Sequence, residues 1–305
     1  VRRAYLDNMH SKHIADSPSS SQQQFPAPAA SPRRPGRRGR PALAAGALLI
    51  AGVSLVALTG CGNSVSGNGD NADSAASAPP AGKNGGKPLS KLLWMGDSIA
   101  EAEAPALEAA VKAGGAEFKS IASAGGGTVV KGEGPTAKFA EDTYKELANT
   151  VKTFHPDVIA YQVTTYDWGT AAQQTSSYEH LAKVAKDAGA ELVIVSAPPF
   201  KIDDFYKSHE AAIKSAPKAA QDAAAKNAGQ ARFFDAAALW GTDSTAAKAQ
   251  RSQDGIHTCQ QGAAAFANWF GGQLSRHYSF TPAAPEKWAK GPWTGSKVYG
   301  QLKCG

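Results

Sequence analysis

Five short strand-like segments, each followed by a stretch with helical spacing, constrain this chain more than any other feature. The strands are read at 91–95, 117–122, 158–163, 192–196 and 231–235. The helices are read at 101–113, closed by Gly114-Gly115, and at 136–154, 177–188, 211–228 and 262–274. The 136–154 helix carries Phe139, Tyr144, Leu147 and Val151 on one face, and Glu141 stands four residues before Lys145 as an expected ion pair. Pro217 either interrupts or starts the 211–228 helix. Apolar strands alternating with helices predict an α/β domain whose parallel sheet is covered on both faces. In such sheets chemistry gathers at the carboxyl ends of the strands, here the loops after Met95, Ala122, Val163 and Ser196.

Net charge is +6 over 305 residues, which invites a nucleic-acid reading. Its distribution argues otherwise. Residues 1–60 hold 8 of the 32 Lys and Arg but 2 of the 26 Asp and Glu, leaving 24 against 24 beyond them. A neutral body lacks the basic footprint that phosphate backbones require. The basic end instead runs from Arg33 to Arg40 into residues 41–60, which carry no charge. That is the order of a secretory signal, and the apolar stretch is also long enough to be a retained membrane anchor. It ends Leu58-Thr59-Gly60-Cys61, which resembles the lipobox of bacterial lipoproteins; the resemblance implies export, a lipid on Cys61 and a place on the outer face of the cell membrane. Residues 61–87 are rich in Gly, Ser, Ala, Asn and Pro and are expected to form a flexible tether. The folded domain is then 88–305, expected to be a monomer.

Cysteine and cofactor motifs exclude further classes. The three cysteines form no C-x-x-C pair, and no H-E-x-x-H or EF-hand loop is present. Gly125-Gly126-Gly127 continues as Thr128-Val129-Val130 and does not complete a dinucleotide fingerprint, and no phosphate-binding P-loop occurs. No metal or organic cofactor is expected. With Cys61 assigned to lipid, Cys259 and Cys304 remain as an even pair, expected to form a disulfide in an oxidising compartment, with two free buried thiols as the alternative.

The loop after the first strand is Gly96-Asp97-Ser98-Ile99. A serine between a strand end and a helix start exposes its hydroxyl and offers its own N–H to a developing oxyanion. It can equally be a helix N-cap. A nucleophilic serine needs a base, and among His155, His180, His209, His257 and His277 only His257 follows an acid at a useful spacing, Asp254. A carboxylate three residues earlier can hold Nδ1 and leave Nε2 facing the nucleophile.

Gly96-Asp97-Ser98-Ile99 and Asp254-Gly255-Ile256-His257 resemble the first and last sequence blocks of the GDSL/SGNH hydrolases. The resemblance implies a flavodoxin-like α/β/α sandwich and carboxylic-ester hydrolysis. Ser98 would be the nucleophile, His257 the base and Asp254 its orienting acid. It also implies an oxyanion hole from the Ser98 N–H and a glycine after strand two, best matched by Gly126, with Gly125 and Gly127 competing. The family's third donor is an Asn after strand three; this chain has Thr164-Thr165-Tyr166-Asp167, so Tyr166 stands in its place. Tyr166, Thr165 or Gln162 would then donate instead. The expected substrate is a small ester or an O-acylated polysaccharide. Acyl transfer to an envelope glycan, or a binding protein without catalysis, are the alternatives. Among the tryptophans, Trp288 and Trp293 are expected at the site mouth, tied there through Cys304.

Overall fold

The computed structural model describes residues 86–304. The signal, the lipobox with Cys61 and nearly all of the tether lie outside the described residues. Five strands form one parallel sheet in the order β2-β1-β3-β4-β5. They are β1 (Lys91–Met95), β2 (Glu117–Ser120), β3 (Val158–Gln162), β4 (Glu191–Val195) and β5 (Ala231–Phe234). The long helices are α1 (Ser98–Ala113), α2 (Thr136–Phe154), α3 (Ala171–Asp187), α4 (Glu210–Lys226) and α5 (Gln260–His277).

The period-two alternation of the strands divides the interior into two cores. Leu92, Trp94, Ala160, Val193 and Val195 face α1 and α5, joined by Phe266 and Phe270. Leu93, Met95, Ile159, Tyr161, Leu192 and Ile194 face the other way, among residues of α2, α3 and α4. Both faces of β1, β3 and β4 are therefore buried, as their near-continuous apolar runs require. β1 pairs with β2 on one side and β3 on the other. The chain thus reverses direction across the sheet beside β1, and the loops after β1 and β3 open together at that switch point.

Four expectations about the helices change. α1 begins at Ser98 rather than 101, because Asp97 is the N-cap and its side chain accepts from the Ile99 N–H. α3 begins six residues before the expected start, on a capping box in which Thr170 and Gln173 satisfy each other's backbone N–H groups. On α2, Lys138 takes Asp142 at 2.7 Å and Glu141 at 3.7 Å, so the expected Glu141–Lys145 pair gives way to one running from Lys138. Pro217 sits inside α4 without ending it. Among the described residues no helix is long and apolar enough to cross a membrane.

After α5 the tail packs along α1. The Tyr299 hydroxyl donates to the Ala102 carbonyl at 3.0 Å, and Cys304 forms the expected disulfide with Cys259. Trp288 is buried in the α1/α5 core and its indole N–H donates to the Ala283 carbonyl at 3.1 Å. Trp293 packs against that core and donates to the Trp288 carbonyl. These two rings are therefore packing elements, not the expected wall of a site mouth.

Candidate active site

The loop after β1 places Ser98. Asp97 is buried and accepts from the Ile99 N–H at 2.9 Å and from the Thr165 N–H and hydroxyl, both at 2.7 Å. Burial pushes its carboxyl above the usual range, with those hydrogen bonds opposing and the Asp167 charge adding to the rise. Asp97 thereby ties the loop after β1 to the loop after β3. Ser98, the first residue of α1, is half-buried, and its N–H has no acceptor within the helix.

His257 arrives from the other end of the domain. Arg251 and Thr258 form an antiparallel bridge that closes the loop between them. Within it Asp254 Oδ1 accepts from the Ser252 hydroxyl at 2.7 Å and from the N–H groups of Ile256 and His257 at 2.8 and 3.0 Å. Its other oxygen, Oδ2, lies 2.7 Å from His257 Nδ1, and His257 Nε2 lies 2.8 Å from Ser98 Oγ. The structure thus brings Ser98, His257 and Asp254 into one hydrogen-bonded line. Partial burial of Asp254 would raise its pKa, yet the bonds from His257, Ile256 and Ser252 hold it down to about 2.

That depression has a sign. An unfolded aspartate titrates near 3.9, so the stabilisation from Asp254 is complete above that value and is lost as pH falls through about 2. Asp254→Asn should therefore melt below wild type at pH 5, with the gap narrowing as the pH approaches 2. A gap that stays constant between these pH values would show that the carboxylate charge contributes nothing.

The oxyanion side differs from expectation. The Gly126 N–H closes a turn on the Ser123 carbonyl at 3.2 Å, so it is not aimed freely at Ser98. In that turn Gly125 occupies φ +70°, a value that favours glycine. Gly127, at φ +80°, presses on the nucleophile loop so closely that a Cβ there would lie 2.0 Å from the Gly96 carbonyl oxygen. The glycine triplet is therefore a turn and a close backbone approach at once.

Two of the three substitutes for the family Asn already give their donors to other acceptors. Gln162 donates its amide to Glu103 at 2.7 Å, and the Thr165 hydroxyl is taken by Asp97. Burial raises the Tyr166 hydroxyl well above the ordinary phenol value, with Tyr206 and Asp97 nearby adding to the rise, so it stays protonated. Its ring joins Phe139, Trp168, Phe205 and Tyr206 in an aromatic cluster. His209 stacks on Trp168 with centroids 3.6 Å apart. The segment carrying Phe205, which is 57% exposed, reaches the triad loop through a bond from the Lys201 N–H to the Gly255 carbonyl at 2.8 Å.

Asp167, which sequence reasoning passed over, is the hub beneath these loops. Fully buried, it accepts from the hydroxyls of Thr128, Tyr161, Thr164 and Tyr178 at 2.6–2.7 Å and from the Thr164 N–H at 3.2 Å. Burial raises its pKa against the pull of those hydroxyls. Among the described residues the remaining histidines make other contacts: His155 caps α2, His180 meets Tyr144 edge-on, and His277 stacks on Phe234. Among the described residues no group of three or more His, Cys, Asp or Glu is placed to hold a metal ion.

A five-stranded parallel sandwich with a serine, a histidine and an aspartate in line at the carboxyl ends of its strands defines a hydrolase-like α/β class. The family model described as "SGNH domain (fused to AT3 domains)" matches residues 65–251, more than half of the chain, and the chain belongs to the SGNH hydrolase family. Asp254 and His257 lie just beyond the matched stretch. No curated protein matches the chain. Solved structures similar to it include an inhibitor-bound aryl esterase of M. smegmatis, 14% identical, covering 62% of this chain and 99% of that one, with a TM-score of 0.46. A GDSL-like lipase from Bacteroides thetaiotaomicron is 15% identical, covers 66% of this chain and 93% of that one, and has a TM-score of 0.47.

Proposed function

We propose that this domain hydrolyses carboxylic esters with Ser98 as nucleophile, His257 as general base and Asp254 as the acid that orients it. One observation carries the reading: the unbroken line from Ser98 Oγ to His257 Nε2 at 2.8 Å and from His257 Nδ1 to Asp254 Oδ2 at 2.7 Å. Ser98 Oγ attacks the ester carbonyl while Nε2 takes its proton. The tetrahedral oxyanion develops against the Ser98 N–H at the start of α1, where the helix dipole favours negative charge. Collapse of that intermediate breaks the C–O bond, and the alcohol departs with the proton from His257. Water then repeats the sequence on the acyl-serine and releases the carboxylic acid.

We further propose an exported protein held to the membrane by lipid on Cys61, acting on O-acyl groups of polysaccharide or on small esters. The same residues would serve transfer of the acyl group to a sugar hydroxyl. The deciding experiment combines nitrophenyl acetate turnover with fluorophosphonate labelling, the adduct located by mass spectrometry. Turnover with an adduct on Ser98 supports hydrolysis, and acylated sugar formed with a glycan acceptor present would shift the reading to transfer. Absence of both turnover and adduct leaves a binding protein. The anchor has its own check: the mature N-terminus should begin at a diacylated Cys61, and an unmodified chain retaining residues before Pro41 would refute it.

A further inference from the structure

Two buried carboxylates grip neighbouring residues of the loop after β3. Thr165 gives both its N–H and its hydroxyl to Asp97, directly before Ser98, each at 2.7 Å. Thr164 gives its N–H and hydroxyl to Asp167, at 3.2 and 2.7 Å. The hydroxyls of Thr128, Tyr161 and Tyr178 also reach Asp167, at 2.6, 2.7 and 2.7 Å. Three of these four hydroxyls are themselves acceptors. Thr128 takes the Val130 N–H at 3.0 Å, Tyr161 the Val129 N–H at 3.3 Å, and Thr164 the Tyr166 N–H at 3.2 Å. A hydroxyl has one proton, and in each of the three it is directed at the carboxylate. Asp167 therefore holds the backbone of Val129, Val130 and Tyr166, each through a single buried hydroxyl.

We propose that Asp167 is a positioning residue: through Thr128 and Tyr161 it holds the glycine turn against the Gly96–Asp97 backbone and so fixes the N–H and hydroxyl of Ser98. The turn is fastened at both ends. At its start the Ser123 N–H donates to the Gly96 carbonyl at 3.0 Å. At its end Gly127 lies against the Gly96 carbonyl and the Asp97 nitrogen, backbone on backbone, and Thr128 follows directly. Close packing of this kind passes a shift at Thr128 on to the peptide that precedes Ser98. The position calls for a carboxylate because its partners are all donors. Oδ1 accepts the hydroxyls of Thr128, Tyr161 and Thr164, while Oδ2 accepts the Thr164 N–H and the Tyr178 hydroxyl. An amide of the same shape would set its NH2 group against donors in either orientation.

The inference rests on the ester-hydrolase reading, and its test separates the two. Asp167→Asn should lower kcat on nitrophenyl acetate by about 10²-fold, the scale of a small displacement between reacting groups, with KM changing by less than about threefold. Should that variant fail to fold, a pair at Thr128 decides. Thr128→Val keeps the shape and removes the hydroxyl, and should lower kcat about tenfold; Thr128→Ser restores the hydroxyl and should bring kcat back to within about threefold of wild type. Both lose stability, valine by leaving the Val130 N–H unpaired and serine by leaving a small void, so a merely structural role would lower kcat in both or in neither. Amide hydrogen exchange supplies a readout independent of turnover: residues 125–130 should lose protection in Asp167→Asn and Thr128→Val and keep it in Thr128→Ser. Wild-type kcat in Thr128→Val, equal losses in the valine and serine variants, or unchanged exchange at 125–130 in Thr128→Val would overturn the proposal. A wild-type protein without turnover would overturn the hydrolase reading alone, leaving the exchange comparison to judge Asp167.

Discussion

Ser98→Ala is expected to reduce ester turnover by roughly 10³–10⁶-fold, the range seen when a triad nucleophile is removed. His257→Ala should lose about as much, because without the base at 2.8 Å the serine hydroxyl remains a weak nucleophile. The double variant should be little worse than either single one, since the two groups act as a unit. Neither change should unfold the domain: Ser98 is half-buried, and Asp97 rather than Ser98 caps α1. Initial rates with circular dichroism on the same samples decide the matter, and either single variant turning over at the wild-type rate would sink the assignment.

Cys304→Ser should produce the largest loss of stability. The bridge to Cys259 joins residues 45 positions apart, which in the chain-entropy model contributes about 3–4 kcal/mol. For a domain of this size that corresponds to a fall in melting temperature of roughly 6–16 °C. Turnover should fall as well, measured well below the melting point. Cys259 is the N-cap of α5, two residues from His257, and the tail it holds covers α1 through the Tyr299 bond to Ala102. A staple with no bearing on the site would lower the melting temperature and leave turnover untouched. Alkylation that finds both thiols free in unreduced protein would remove the premise.

The strands were legible because β1, β3 and β4 are buried on both faces and so read as apolar runs. The start of α3 was not, because 171–177 has no apolar periodicity; its signal was the capping pair Thr170 and Gln173, which is polar. Ser98, Asp254 and His257 stood out through short-range spacing around a glycine-containing turn. Glu103 did not, since its partner Gln162 lies 59 positions away, and Asp167 did not, since the hydroxyls of Thr128, Tyr161, Thr164 and Tyr178 converge on it from separate elements without forming a motif. Glu103 in particular sits in an Ala/Glu-rich helix where a glutamate reads as solvent-exposed, yet it is fully buried and accepts from Gln162. The aromatic cluster was half visible: Tyr166 and Trp168 mark it, but Phe205 and His209 join it from a loop with no motif of its own.

The bond between Ser98 and His257 spans 159 positions, from the first helix of the domain to the loop before its last long one. During synthesis the serine emerges early and its histidine late. In between, the nascent domain carries a hydroxyl no more reactive than any surface serine. The charge field that would activate it appears only when the final layer closes over the sheet. Reactivity toward esters would then report the last step of folding, and a chain arrested anywhere before residue 257 would leave its surroundings chemically undisturbed.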